Sequence, residues 1–278
     1  MNIAAIIVAY HPDKRVIELV ASSVKQFEQV FVIFNSEKTF SFDSDDKLHI
    51  KVNSENIGLS KALNQGVDLA LKHLDAIDWC VFFDQDTLIS PRFRLCLDSS
   101  IRSLESTSRV GIIGQNYVSA GGEKTAYSVT ALTEYRKAIV TSGSAIPSFI
   151  FRQIGGFDEN LFIEGIDTEF CYRASAAGFP TFVSPDIVMR HGAGQDEVHF
   201  LLGRPINVSG HSPERYYLQW KNFVYVERKF SASVFKTSIN LFYSLGRNFI
   251  VICLFERQRF SKLKACVKGL IAGFKIQI

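Results

Sequence analysis

Short apolar runs alternate with helically spaced apolar positions through the first half of the chain. Ile3–Ala9 is a β-branched run closed by Tyr10-His11-Pro12, which predicts a strand. Within Arg15–Phe27, Val16, Leu19, Val20, Val24 and Phe27 share one face of a predicted helix. Val30–Phe34, closed by Asn35-Ser36, predicts a second buried strand, and Leu48–Val52 a third, shorter one. Asn56-Ile57-Gly58 is a turn signal. Leu59–Leu74 follows as a helix, with Leu59, Leu63, Val67, Ala70 and Leu74 on one side. Trp79-Cys80-Val81-Phe82-Phe83 then forms an unbroken apolar run that suits a strand buried on both faces.

Ser90-Pro91 predicts a helix start, a capping serine before proline at the first helical position, and the helix runs to about Leu104. Val110–Gly114 is another short strand. Strands alternating with helices predict a mostly parallel sheet covered on both faces, an α/β fold. From Gln115 the pattern loosens. Gly121-Gly122 is a turn, Thr125–Tyr135 a hairpin or loop, and Ile139–Ile146 a strand whose small Ser142-Gly143-Ser144 lets a ligand approach the backbone. Gly155-Gly156-Phe157-Asp158 is a tight turn, Ile166–Ala177 a helix ended by Gly178, and Phe179–Val183 a strand. Gly192–Ser212 reads as a long mobile loop, and Pro213–Lys229 as a helix rich in Tyr, Trp and basic residues.

Composition narrows the class. A chain of 278 residues with 47% hydrophobic content has ample material for a core and is not a disordered sequence. The five cysteines, Cys80, Cys96, Cys171, Cys253 and Cys266, lack paired or metal-ligand spacing, which predicts reduced thiols in the cytoplasm. The N-terminal apolar run lacks a basic segment before it and is better read as a strand than a signal peptide. No clean apolar stretch is long enough to span a bilayer. The place of a Gly-x-Gly-x-x-Gly after the first strand is taken by Tyr10-His11-Pro12, against a dinucleotide-dependent dehydrogenase.

The candidate chemistry starts at Asp84-Gln85-Asp86. On an extended segment alternate side chains share a face, so the two carboxylates are expected on one side. Their repulsion is relieved by a hard divalent cation, and Mg²⁺ characteristically takes one or two carboxylates plus substrate phosphates. A second such triplet, Asp43-Ser44-Asp45, lies in a polar stretch and reads as a solvated loop. Glu164, Asp167 and Glu169 lie at or before a helix start, where acids complement the helix dipole or serve as a rigidly held general base. His191 directly follows a predicted strand, as a structural residue or a third metal ligand. Arg215, followed by Tyr216, Tyr217, Lys221 and Asn222, marks an amphipathic helix, or cationic support for a departing diphosphate.

These pieces occur in a recognisable order: IIVAYHPD, NIGLSKALNQG, FFDQDT, GGFDENLFIEGIDTEFCYRASAAG, RHGAG and ERYYLQWKN. Order and spacing over about residues 3–230 resemble the family 2 inverting glycosyltransferases of the GT-A fold, and within them the bacterial rhamnosyltransferases of O-antigen and related polysaccharide assembly. The resemblance implies that Asp86 ligates a divalent cation, Mg²⁺ or Mn²⁺, on the donor diphosphate, with Asp84 beside it and His191 completing the metal shell. It implies that Asp167 is the catalytic base. The family often writes Glu-Asp-x-Asp there, whereas this chain has Ile166-Asp167-Thr168-Glu169, leaving Glu164 as the candidate for the missing acid. Tyr10, Asn35 and Asn56 would line the nucleoside pocket, with Lys61 and Asn64 on the helix bordering it; Phe34-Asn35 stands where the family often has Asp-Asn. The implied reaction moves L-rhamnose from dTDP-β-L-rhamnose, with inversion, to a hydroxyl of a lipid-linked or polysaccharide acceptor. A sugar nucleotidyltransferase, or a non-catalytic protein that binds sugar nucleotides, are the alternatives.

Two regions are expected, a catalytic domain over 1–230 and a basic amphipathic helical tail over 231–278. Arg257, Arg259, Lys262, Lys264, Lys268 and Lys275 crowd the end of the chain, with no acid after Glu256. Phe260, Leu263, Val267, Leu270 and Phe274 recur at three and four, predicting an apolar stripe beside a basic face. Such a helix suits an anionic membrane surface, so the expected location is cytoplasmic and peripheral on the inner face of the cell membrane. A packed appendage and an oligomer contact are the other readings. No recognised nucleic-acid-binding module accompanies the charge, so no nucleic-acid partner is expected.

Overall fold

A computed structural model describes residues 1–73, 77–107, 109–119, 125, 127–135, 138–191, 197–201, 204–208, 210–230 and 234–278. The chain divides into two compact units, one of residues 1–162 and 166–192, the other of 163–165 and 193–278. This division falls earlier than the boundary expected at 230.

The first unit holds β1 (Ile3–Ala9), α1 (Arg15–Val24), β2 (Gln29–Phe34), β3 (Leu48–Val52), α2 (Leu59–His73), β4 (Trp79–Asp84), β5 (Leu88–Ile89), α3 (Phe93–Ser106), β6 (Ile112–Ser119), β7 (Thr133–Glu134), β8 (Ser144–Pro147), α4 (Ser148–Ile154), α5 (Ile166–Ala176) and β9 (Thr181–His191). One sheet runs β3-β2-β1-β4-β8-β6-β9-β5, with β7 also paired to β9. The half from β3 to β4 is parallel throughout. In the other half, β8 lies antiparallel between β4 and β6, and β9 takes β5 and β7 antiparallel. β6 and β9 pair in parallel, so the sheet is parallel over most of its paired length, with short antiparallel additions at β8, β5 and β7. The antiparallel strands are short, and β5 and β7 have two residues each, too few to show an alternating pattern in sequence.

Strand β1 is buried at every position because both of its faces are covered. Ile3, Ala5, Ile7 and Ala9 join a cluster with Val16, Leu19 and Val20 of α1 and Phe93, Leu97, Ile101 and Leu104 of α3. On the opposite face, Gly66 of α2 rests against Ile6 and Ile33. Phe82 packs edge-on against Phe157, with ring centroids 5.3 Å apart. Cys80, Cys96, Cys171 and Cys266 are buried free thiols, and Cys253 is half-buried.

Three local expectations change. Helix α3 starts at Phe93 rather than Pro91; Ser90 accepts the Arg92 N–H at 3.2 Å as a turn before the helix, not as its cap. The run Ile139–Ile146 pairs only from Ser144, because Ser142 and Gly143 turn beneath the end of β4. Gly192–Ser212 is not one loop: Glu197–Leu201 (β10) and Arg204–Val208 (β11) form an antiparallel hairpin. The predicted turn at Gly121-Gly122 lies outside the described residues.

The second unit adds α6 (Pro213–Phe230), α7 (Val234–Phe255) and α8 (Arg259–Lys275) to that hairpin. Helix α8 packs on α6 through small residues. A Cβ on Gly269 would lie 2.3 Å from the Tyr217 carbonyl oxygen, and one on Gly273 2.4 Å from that of Lys221. Tyr216, Trp220, Val224, Ile252, Ala265 and Cys266 form the core of this unit. Between the helices, buried Lys262 pairs with buried Glu256 at 2.6 Å, and the Tyr216 hydroxyl donates to the same carboxylate.

Candidate active site

In an open α/β sheet, ligands sit outside the carboxyl ends of the parallel strands. Here β1, β2 and β4 end level with one another. Ala9 pairs with Phe34 and Val8 with Asp84, so Tyr10, Asn35 and Gln85 emerge at one edge. Tyr10 is exposed and its N–H donates to the Gln85 side-chain oxygen at 2.7 Å. His11, the next residue, has the left-handed φ of 46°. Gln85 therefore points back to the β1 turn and leaves the carboxylates on either side of it in the loop.

Strand β4 stops at Asp84, and Gln85 and Asp86 form a turn closed by the Thr87 N–H on the Asp84 carbonyl at 3.0 Å. Strand alternation therefore does not govern the pair; a turn does. A buried serine holds that turn from below. The Asp84 N–H donates to Ser142 Oγ at 3.1 Å, and Thr87 Oγ1 shares a hydrogen bond with the same hydroxyl at 2.6 Å. Gly143, with a left-handed φ of 79°, donates its N–H to the Phe82 carbonyl at 2.7 Å. Beyond the small size of Ser142-Gly143-Ser144, Ser142 has a specific bonding task.

Asp84 and Asp86 are both half-buried. Asp86 lies 3.8 Å from the Arg15 guanidinium, which also pairs with Asp13 at 2.6 Å. Those bonds hold the Asp13 carboxyl down at about 2. Arg15, in sequence only the start of a helix, is thus within ion-pair reach of Asp86. Two carboxylates on one turn fit a Mg²⁺- or Mn²⁺-type cation that takes its other ligands from phosphate and water. Among the described residues no three His, Cys, Asp or Glu side chains group as a metal site. His191 ends β9, with its backbone paired to Ser119; its side chain lies outside the described residues.

The two asparagines of the expected nucleoside pocket are bonded to each other. Asn35 is buried; its amide N–H₂ donates to Asn56 Oδ1 at 2.9 Å, and its Oδ1 accepts the Ile57 N–H at 3.1 Å. Asn56 in turn accepts the Gly58 N–H at 3.0 Å. The pair fixes the loop that borders the β2 end. Asn64 clamps a different turn, accepting the Phe157 N–H at 2.7 Å and donating to the Phe157 carbonyl at 2.9 Å. Lys61, one turn earlier on α2, is exposed.

Asp167 sits in the first turn of α5, half-buried, where its carboxylate accepts the Thr168 N–H at 2.8 Å. It lines a cavity of about 10 Å³ together with Thr141, Ser144, Phe157 and Cys171. Burial pushes the Tyr117 hydroxyl up, and the nearby Asp167 charge pushes it further. Burial likewise raises the Cys171 thiol to about 11, with Asp167 adding to it. The turn at 141–144 is common ground: Ser142 touches the Asp84 backbone, while Thr141 and Ser144 line the Asp167 cavity. In the second unit, Glu164, at the left-handed φ of 66°, pairs with Arg215 at 2.7 Å, so these two candidates neutralise each other.

The sheet and its helices make a fold of the GT-A glycosyltransferase type. The chain is similar to the dTDP-rhamnosyl transferase RfbF of Shigella flexneri, 24% identical over 289 residues that span 99% of this chain and 96% of that protein. Crystal structures of S. aureus TarS superpose on it: residues 1–349 give a TM-score of 0.59 at 13% identity, covering 99% of this chain and 81% of that one. The complex of the same TarS fragment with UDP-GlcNAc gives 0.60 at 15% identity, covering 98% and 81%. No family model matches the chain. The likeness to RfbF supports a glycosyltransferase.

Proposed function

We propose that this chain transfers a sugar from a nucleoside diphosphate donor to an acceptor hydroxyl, with inversion, in a single displacement, and that the donor is dTDP-β-L-rhamnose. The observation that carries the reading is the Asp84–Thr87 turn, fixed at the carboxyl end of β4 beside the ends of β1 and β2. The donor name rests on the likeness to RfbF, and a sugar-nucleotide ligand is in keeping with the UDP-GlcNAc complex of TarS.

In this reading Asp84 and Asp86 would hold a divalent cation that neutralises the donor phosphates. When bound, the cation supplies positive charge to the leaving diphosphate. Arg15, 3.8 Å from Asp86, would add positive charge beside the phosphates. Tyr10 and the loop fixed by Asn35 and Asn56 receive the nucleoside. Asp167 takes the proton from the acceptor hydroxyl as its oxygen bonds to the anomeric carbon, and the bond from that carbon to the phosphate oxygen breaks on the opposite face. The products are the glycoside and dTDP. The acceptor class is a lipid-linked or polysaccharide hydroxyl.

The test is incubation with dTDP-β-L-rhamnose, Mn²⁺ and rhamnan- or lipid-linked acceptors, following nucleotide products. Acceptor-dependent dTDP release that falls about 10³-fold in Asp167→Asn, with normal thermal unfolding, is the expected result. Pyrophosphate release would instead identify nucleotidyl transfer. Tight donor binding with no turnover on any acceptor would identify a binding protein.

A further inference from the structure

The tail does not pack as its sequence stripe predicts. Leu263 and Leu270 turn inward, half-buried against the core of the second unit. The face of α8 that meets α6 is made of Ala265, Cys266, Gly269 and Gly273. Phe260 is left 91% exposed, Val267 53%, Ile271 50% and Phe274 51%. At about 100° per residue these four fall within an arc of roughly 60° on the outer side of the helix. An aromatic and aliphatic face this continuous is unusual on a solvated surface and marks an interaction site.

Charge surrounds that face on both sides. Lys264, Lys268 and Lys275 lie along one flank, Arg259 on the other, and all four are exposed. Lys262 is the exception; it is buried on Glu256. Glu256 is also the last acid of the chain, so no carboxylate side chain interrupts the outer surface of α8. Long cationic side chains beside an apolar face reach headgroups while the face enters the acyl boundary. A protein partner would need an acidic rim around an apolar groove; an anionic lipid surface offers both as a matter of composition. No helix among the described residues is long and apolar enough to cross a membrane.

We infer that the outer face of α8, centred on Phe260, Val267, Ile271 and Phe274, docks the protein in the plane of an anionic lipid surface. The apolar side chains enter the interface and Arg259, Lys264, Lys268 and Lys275 meet the phosphates. This holds whatever sugar the other unit handles.

The experiment is co-sedimentation of the full chain with vesicles of equimolar phosphatidylglycerol and phosphatidylcholine, and with phosphatidylcholine alone. Binding to the anionic vesicles is expected to weaken at least about ten-fold on phosphatidylcholine and to fall with salt. Lys264→Glu, Lys268→Glu and Lys275→Glu together should weaken it by about a hundred-fold or more. Phe260→Ser, Val267→Ser and Ile271→Ser together should abolish it while the helical circular dichroism is kept, because these side chains are half or more exposed. Absence of binding to the anionic vesicles overturns the inference, as does unaltered binding by the serine variant. So does a dimer in analytical ultracentrifugation that the serine variant dissolves, since the face would then belong to a second copy.

Discussion

Ser142 is a single hydroxyl with two partners, the Asp84 N–H and the Thr87 hydroxyl. Both partners belong to the turn that presents the carboxylates, so Ser142 is a positioning residue for them. Ser142→Ala removes the hydroxyl that the Asp84 N–H and Thr87 both bond, a cost of about 0.5–1.5 kcal/mol. The expected outcome is a loss of about ten-fold or more in kcat/KM for the donor, measured at fixed acceptor, with the sheet intact by circular dichroism. Donor with Mn²⁺ should raise the melting temperature, and Asp86→Ala should remove that rise, because a ligand that binds only the native state raises apparent stability. Neither role follows from residue type alone. Asp84-Gln85-Asp86 is legible as chemistry because a hydrophobic strand leads into it, but Ser142 sits 58 residues away along the chain and only the antiparallel return of β8 brings it there.

Helix α8 shows how an element can satisfy its periodicity and still bury the other side. Apolar residues at three and four predict a stripe, yet a stripe says nothing about which residues have a partner. Gly269 and Gly273 let the α8 backbone reach the Tyr217 and Lys221 carbonyls, and close approach draws the small-residue side inward. Gly269→Ala should therefore destabilise the protein by about 1–3 kcal/mol, read by urea unfolding of the intact chain. The buried pair beneath gives a second test. Lys262→Met strands Glu256 in a site where Tyr216 is the remaining donor among the described residues, and should cost about 3–5 kcal/mol. Lys262→Met with Glu256→Leu should recover most of that loss, because no uncompensated charge then remains buried.

At the scale of the whole molecule, the first unit is tied together by a few polar clamps across distant segments. Arg94 of α3 donates to Glu28 at 2.7 Å and to the Met1 carbonyl at 3.1 Å, while Glu28 accepts the Ile3 N–H at 2.8 Å. Burial opposes the Glu28 charge, but the Arg94 and Ile3 hydrogen bonds outweigh it, and its pKa falls below the ordinary carboxylate value. A carboxyl depressed in the folded state contributes stability above its unfolded pKa and loses it as pH falls through the folded one. Glu28→Gln should thus lower the melting temperature at pH 7, and the gap from wild type should close as pH drops below about 4. Calorimetry across that range checks it.

The sequence alone determined the parallel half of the sheet, because a strand buried on both faces must be apolar at every position and the helices between must be apolar on one side. It determined the order of the acidic motifs, and with them the likeness to glycosyltransferases. It did not reveal the hairpin at 197–208, whose Gly, Pro and Asn read as loop, since two five-residue strands carry little periodicity of their own. Nor did it reveal that Asn35 bonds Asn56, that Arg15 reaches Asp86, or that Glu164 is matched by Arg215. Those pairings join residues from 21 to 71 positions apart. Local pattern records how each segment buries its own face; which polar groups meet once those faces are buried is decided only by the packed chain.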